Sequence, residues 1–248
     1  MRKKFIGSLG FTTTAVFSIL AILFLTTCLC YAEQGKDEDE FKAIVTETNS
    51  IFSESDEAMQ KSPSFDVLKE KMKQFQPRFD ALIARLVQFT IDYPASVYAD
   101  DAAYILITWM AIPEKRLQKA RTFLKKYPNA SLEPLTLNTQ QYSPVPKEIG
   151  VINAVKIDIS RTLYDLRRYE ESAKEARAVI DDLTVKALSD RGYRMLSGVY
   201  YYLIKDYEAQ GKNEQVRRVC NEAIEKIPNG KNKEGFVKKL KELDFVPK

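Results

Sequence analysis

The sequence predicts an all-α protein, a helical-repeat solenoid of antiparallel helix pairs. Three observations carry this. Apolar residues recur three and four apart along nearly the whole chain, and no period-two run interrupts them. Glycine and proline are scarce, at 9 and 10 of 248 residues, and the prolines fall at or between the ends of the periodic segments, Pro77 excepted. A Tyr-Pro pair at Tyr93-Pro94 returns 34 residues later as Tyr127-Pro128.

The N-terminus stands apart from this pattern. Arg2, Lys3 and Lys4 precede a stretch without charge from Phe5 to Ala32, densest in "AVFSILAILFL". A basic start, an apolar centre and a small residue at the end make residues 1–32 a signal peptide cleaved after Ala32. Two alternatives stay open. "LTTC" resembles a bacterial lipoprotein box, which would make Cys28 a lipidation site. An uncleaved N-terminal membrane anchor also fits, because the stretch exceeds the roughly 20 apolar residues that span a bilayer. All three place the rest of the chain outside the cytoplasm, periplasmic or outer-membrane associated. Residues 33–40, "EQGKDEDE", read as an acidic, solvated tether.

The helical domain, 41–248, follows. Phe41, Ile44, Val45, Thr48, Ile51 and Phe52 form one stripe, and Pro63 ends that helix. Ser64 can cap the next, whose stripe runs Phe65, Leu68, Met72, Phe75, Phe79, Leu82, Leu86, Phe89. The stripe passes Pro77 in phase, so it is one kinked helix or two helices with Pro77 in the first turn of the second. "SVYADDAAYILITWM" is a helix with Ser96 as its cap, and Pro113 opens the next, which buries Leu117, Ala120, Phe123 and Leu124. An irregular insert at 131–146 carries Pro134, Pro144 and Pro146. Helices then resume: one to Leu166, one after a turn at Arg167 and Arg168, one ending at Gly211, and one stopped by Pro228. A last amphipathic helix points Phe236, Val237, Leu240 and Leu243 inward.

Phe89, Tyr93 and Pro94 match Phe123, Tyr127 and Pro128 at a constant 34 residues, the length of one tetratricopeptide repeat. Tyr200, Leu203, Ile204 and Tyr207 reproduce that family's aromatic-x-x-Leu-Gly-x-x-Tyr pattern, with Ile204 in place of glycine. Val216, Cys220, Ala223 and the closing Pro228 continue the unit. A weaker unit runs through Ile157, Tyr164, Ala173 and Ile180, with Arg161 at the glycine-equivalent place. Residues 65 to 230 therefore resemble tetratricopeptide repeat proteins. "YPASVYADDAAY" and "ARTFLKKYPNAS" are similar to the repeats of bacterial outer-membrane assembly lipoproteins and of the Tol-Pal-linked cell-division coordinator.

This resemblance implies a groove lined by the first helix of each pair. Projecting the repeat pattern gives Tyr98, Asp101, Ile105 and Trp109 in one unit, Asp158, Thr162 and Asp165 in the next, and Tyr201, Lys205 and Glu208 in the third. Trp109 is either a groove anchor or a packing residue between repeats. Asp158, Thr162 and Asp165 do not match the Lys, Arg and Asn with which carboxylate-clamping members hold a peptide C-terminus.

Composition excludes several chemistries. The chain has no histidine, so Ser-His and Cys-His nucleophilic systems and histidine-zinc sites are absent. Three of the four net positive charges lie in "MRKK", which leaves no basic excess for nucleic acid. Adjacent carboxylates such as Asp100-Asp101 and Asp181-Asp182 point about 100° apart on a helix and do not face each other across a cleft. Cys220 is the one cysteine beyond the export segment and lies on an apolar stripe as a packing residue. The expectation is an exported, non-enzymatic scaffold without cofactor or metal. It would bind a protein partner in the cell envelope and meet the membrane only through its N-terminal segment. A helical accessory domain for peptidoglycan-lytic machinery is the alternative.

Overall fold

A computed structural model describes residues 10–62, 64–132, 145–183, 188–228 and 230–244, with side chains from Gly35 onward. Nine helices and no strand occur among these residues: α1 (Gly10–Gln60), α2 (Phe65–Asp92), α3 (Ala99–Trp109), α4 (Pro113–Lys126), α5 (Gly150–Asp165), α6 (Tyr169–Asp182), α7 (Asp190–Ala209), α8 (Asn213–Lys226) and α9 (Lys231–Asp244). The all-α repeat expectation holds. Each helix packs on the next, and α3 on α5, α5 on α7 and α7 on α9 also touch. The first helices of successive pairs thus form one layer.

The recurring Tyr-Pro has a structural identity. Tyr93 caps α2 at φ −123°, ψ 56°, and Tyr127 caps α4 at φ −125°, ψ 61°. Their N–H groups donate to the Phe89 and Phe123 carbonyls at 2.9 and 2.8 Å. Their rings lie 5.1 and 5.3 Å from the same phenylalanines. The proline that follows has no N–H to continue the ladder, so each helix stops at the same point.

A second pair of turns also superimposes, between α5 and α6 and between α7 and α8. Arg167 (φ 58°) and Gly211 (φ 69°) both take the left-handed conformation, 44 residues apart. The residues after them close the same bond, Arg168 N–H to the Leu163 carbonyl and Lys212 N–H to that of Tyr207. The match of Tyr164 with Tyr207 is therefore out by one residue. Ser160, not Arg161, occupies the place of Ile204, and Ser172 that of Val216.

Burial divides into two clusters. Phe41, Ile44, Ile51, Leu82, Leu86 and Phe89 join α1 to α2 and meet Ala102 and Ile105 of α3. The larger cluster extends from Tyr104 and Ile107 of α3 through Leu163, Ala176, Leu196, Tyr200 and Cys220 to Phe236 of α9. Helix α3 belongs to both and joins them. Arg85 bridges Glu40 and Glu47, and Arg78 pairs with Glu54, along the α1–α2 contact. Pairs this exposed contribute little, about 0–1 kcal/mol each, and mainly fix register.

Several local expectations change. Residues 35–40 are not a solvated tether: they are helical, Asp37 is buried and Glu40 is held by Arg85. Of the two readings at Pro77, the single helix holds: it lies inside 28 helical residues. Tyr98, not Ser96, is the N-cap of α3, and the Ser96 hydroxyl instead accepts the Tyr98 N–H at 3.1 Å. Val237 is exposed although Phe236 is buried. Residues 133–144 of the insert lie outside the described residues, as do residues 1–9 and the side chains of 10–34, Cys28 included. From Gly35 on, no described helix is long and apolar enough to cross a membrane.

Ala120 and Ala223 are fully buried where paired helices meet. Replacing either by leucine overpacks the contact and is expected to cost roughly 1–3 kcal/mol. Thermal melts of the two variants check this, each falling below the parent.

Candidate functional site

A cleft of about 540 Å³ opens on the layer of first helices. Tyr104 and Thr108 reach it from α3, Arg116 from α4, Ile157, Asp158, Arg161 and Asp165 from α5, and Met195 and Tyr202 from α7. Three consecutive pairs contribute, so the cleft exists only because they stack. The α5 residues follow helical spacing, which turns one polar stripe toward it while Val155, Ile159 and Leu163 face the core.

The charges in the cleft are interleaved. Arg116 Nη donates to Asp165 at 3.4 Å, and the Arg161 guanidinium sits 5.5 Å from the Tyr202 ring centre. Tyr202 stands edge-on to Tyr164 and Tyr201, at 5.5 and 5.6 Å. Burial pushes the Asp158 carboxyl above its ordinary range, and Arg161 and Arg116 pull it back. Burial, aided by the Asp158 charge, raises the Tyr104 phenol, so it stays neutral. The Arg116 Nε is buried without an acceptor among the described residues. Two cations, two anions, aromatic faces and a methionine suit recognition of a mixed polar and apolar surface.

The projected residues fare unevenly. Asp158 and Asp165 line the cleft. Thr162 is buried, its hydroxyl donating to the Asp158 carbonyl at 2.7 Å, and Ile105 and Asp101 are buried too. Tyr98 stacks on Phe41 at 4.8 Å. Trp109 packs edge-on to Phe52 and Phe79 at 5.9 and 6.1 Å, against α1 and α2. Tyr201 is exposed with Lys205 over its ring at 5.7 Å, while Lys205 and Glu208 pair at 3.0 Å, and Glu208 also pairs with Lys239 of α9.

Tyr104, Thr108, Arg116, Arg161, Met195 and Tyr202 were not singled out by the projected pattern. On α3 the projection was three residues early, Asp101 and Ile105 standing for Tyr104 and Thr108. Three residues fall about 60° short of a full turn, enough to exchange a groove position for a core one. Tyr104 and Thr108 share the i, i+4 spacing that could have shown them as one face.

Outside the cleft, burial pushes the Cys220 thiol up to about 11, the opposite of an activated nucleophile. No cluster of three or more metal-ligating side chains occurs among the described residues. Comparison of the chain with protein-family models gives no match, and comparison with curated proteins gives none either.

Since Trp109 is wedged between two phenylalanines, Trp109→Ala should destabilise the fold by about 2 kcal/mol or more. A fall of several degrees in melting temperature is expected; an unchanged melt would place Trp109 outside the packing.

Proposed function

We propose that this protein is an exported, non-enzymatic scaffold that binds another protein of the cell envelope through the cleft on α3, α5 and α7. The observation that carries the reading is the cleft itself, where aromatic, methionine and arginine side chains from three successive helix pairs converge. These residue types are enriched in protein interfaces, and Tyr and Arg are prominent among those that dominate their energy. The resemblance of the Tyr-Pro repeats to tetratricopeptide proteins supports the same class, and within it a role in outer-membrane assembly or envelope division. Export rests on the basic start and apolar stretch of residues 1–32.

A photoreactive amino acid placed at Tyr202 should crosslink the partner in intact cells, whereas one at Arg218, strongly exposed on α8, should not. Arg161→Ala should reduce the Tyr202 adduct without lowering the melting temperature. Equal adducts from both positions would overturn the cleft as the binding surface. Intact mass of the purified protein is expected to begin at Glu33; a diacylglycerol on Cys28, or retention of residues 1–32, would replace cleavage by one of its two alternatives.

A further inference from the structure

Behind the cleft, where α5, α6 and α7 meet, lies a buried polar group that the binding reading does not use. Asp206 is wholly buried on α7. Its Oδ2 is 2.6 Å from the Ser172 hydroxyl of α6, and its Oδ1 accepts no hydrogen bond among the described residues. The same Ser172 hydroxyl lies 2.9 Å from the Ser160 carbonyl and 3.3 Å from the Ser160 hydroxyl, both on α5. All three residues are at most 2% exposed. The two serines occupy the places that Ile204 and Val216 fill one repeat later, so the polar cluster departs from the apolar packing at the equivalent point.

A hydroxyl has one proton to give. With Asp206 ionised, Ser172 faces two acceptors and serves one of them, leaving a buried carboxylate with a single hydrogen bond. With Asp206 protonated, its O–H donates to Ser172 Oγ and the Ser172 O–H donates to the Ser160 carbonyl, so both short contacts are satisfied. We infer that Asp206 is held as a neutral carboxylic acid in this chain of hydrogen bonds, and that its ionisation on raising the pH loosens the junction of α5, α6 and α7 that supports the cleft.

Among the described residues no cation pairs with the Asp206 carboxylate. Tyr164 of α5 is the titratable group that feels Asp206, and it is a neutral phenol whose own ionisation is raised, chiefly by burial. Lys205, beside Asp206 on α7, pairs with Glu208, and Arg168, the N-cap of α6, pairs with Glu171 at 2.6 Å. Among the described residues, burial and the Ser172 hydrogen bond are what act on the Asp206 carboxyl. Burial accordingly pushes its carboxyl up to about 7, with Ser172 pulling the other way. In the unfolded chain an aspartate titrates near 3.9. Between these values the folded protein keeps a proton that the unfolded chain has lost, so folding stability falls as pH rises and levels off above pH 7.

Urea unfolding of the full chain at pH 5, 6, 7 and 8 tests this, with Asp206→Asn beside the parent. Asparagine keeps the shape and a donor toward Ser172 but cannot ionise. The Asp206 contribution should lower the folding equilibrium constant about ninefold from pH 5 to 6 and about fivefold from pH 6 to 7 in the parent, and the variant should lack that slope. Carboxylates held low by salt bridges titrate below this window, and the parent-variant difference isolates Asp206 from the rest. Equal slopes in both proteins would overturn the inference. Should Asp206→Asn not fold, carbon-13 NMR of the Asp206 carboxyl in the parent decides directly. A titration midpoint near neutral supports the neutral acid, and one below pH 5 refutes it.

Discussion

Each inner helix among the described residues carries an apolar stripe wider than one neighbour can cover. Helix α5 shows the constraint: Val151, Ala154, Val155, Ile159 and Leu163 are all buried, and α4, α6 and α7 are all needed to bury them. The same requirement passes along the chain until α9, whose Phe236 is buried while Val237 beside it faces outward. At the other end α3 gives Ala102 and Ile105 to one cluster and Tyr104 and Ile107 to the next. Stacking is thus both the source of stability and the reason the first helices share a surface.

That surface inherits its chemistry from the helices' remaining faces. On α5 the core takes Ile159 and Leu163, and another face of the helix carries Asp158, Arg161 and Asp165 into the cleft. Charges of both signs alternate there, and burial in the cleft acts on Asp158 and Tyr104. The cleft and the fold therefore draw on one set of helices. A change in how α5, α6 and α7 pack, such as ionisation of Asp206, would reach the cleft through Tyr164 and Tyr202.

Helix positions were legible in the sequence because their signals are local. Tyr93-Pro94 and Tyr127-Pro128 marked two helix ends, and Gly211 marked a third, each through the conformation its residues allow. The turn at Arg167 and Arg168 was legible too, but an arginine in the left-handed region does not mark which residue matches Gly211. The one-residue slip between Tyr164 and Tyr207 follows from that. The acidic run at 33–40 looked solvated because the partner that holds Glu40 against α2, Arg85, is 45 residues away. The cleft was half legible, Asp158 and Asp165 found and Tyr104 missed, since a groove depends on helix rotation that periodicity alone fixes poorly. Trp109 was drawn into the packing by Phe52 and Phe79, distant in sequence and adjacent in space.

Hydrogen exchange of the backbone amides, followed by mass spectrometry on the full chain, tests the dependence of each helix on its neighbours most directly. Helices α5, α6 and α7, covered on both sides, should exchange slowest and together. Helix α9, covered on one side, should exchange faster. Protection of α9 equal to that of α6, or early exchange of α5 with α4 and α6 still protected, would contradict a continuous stack.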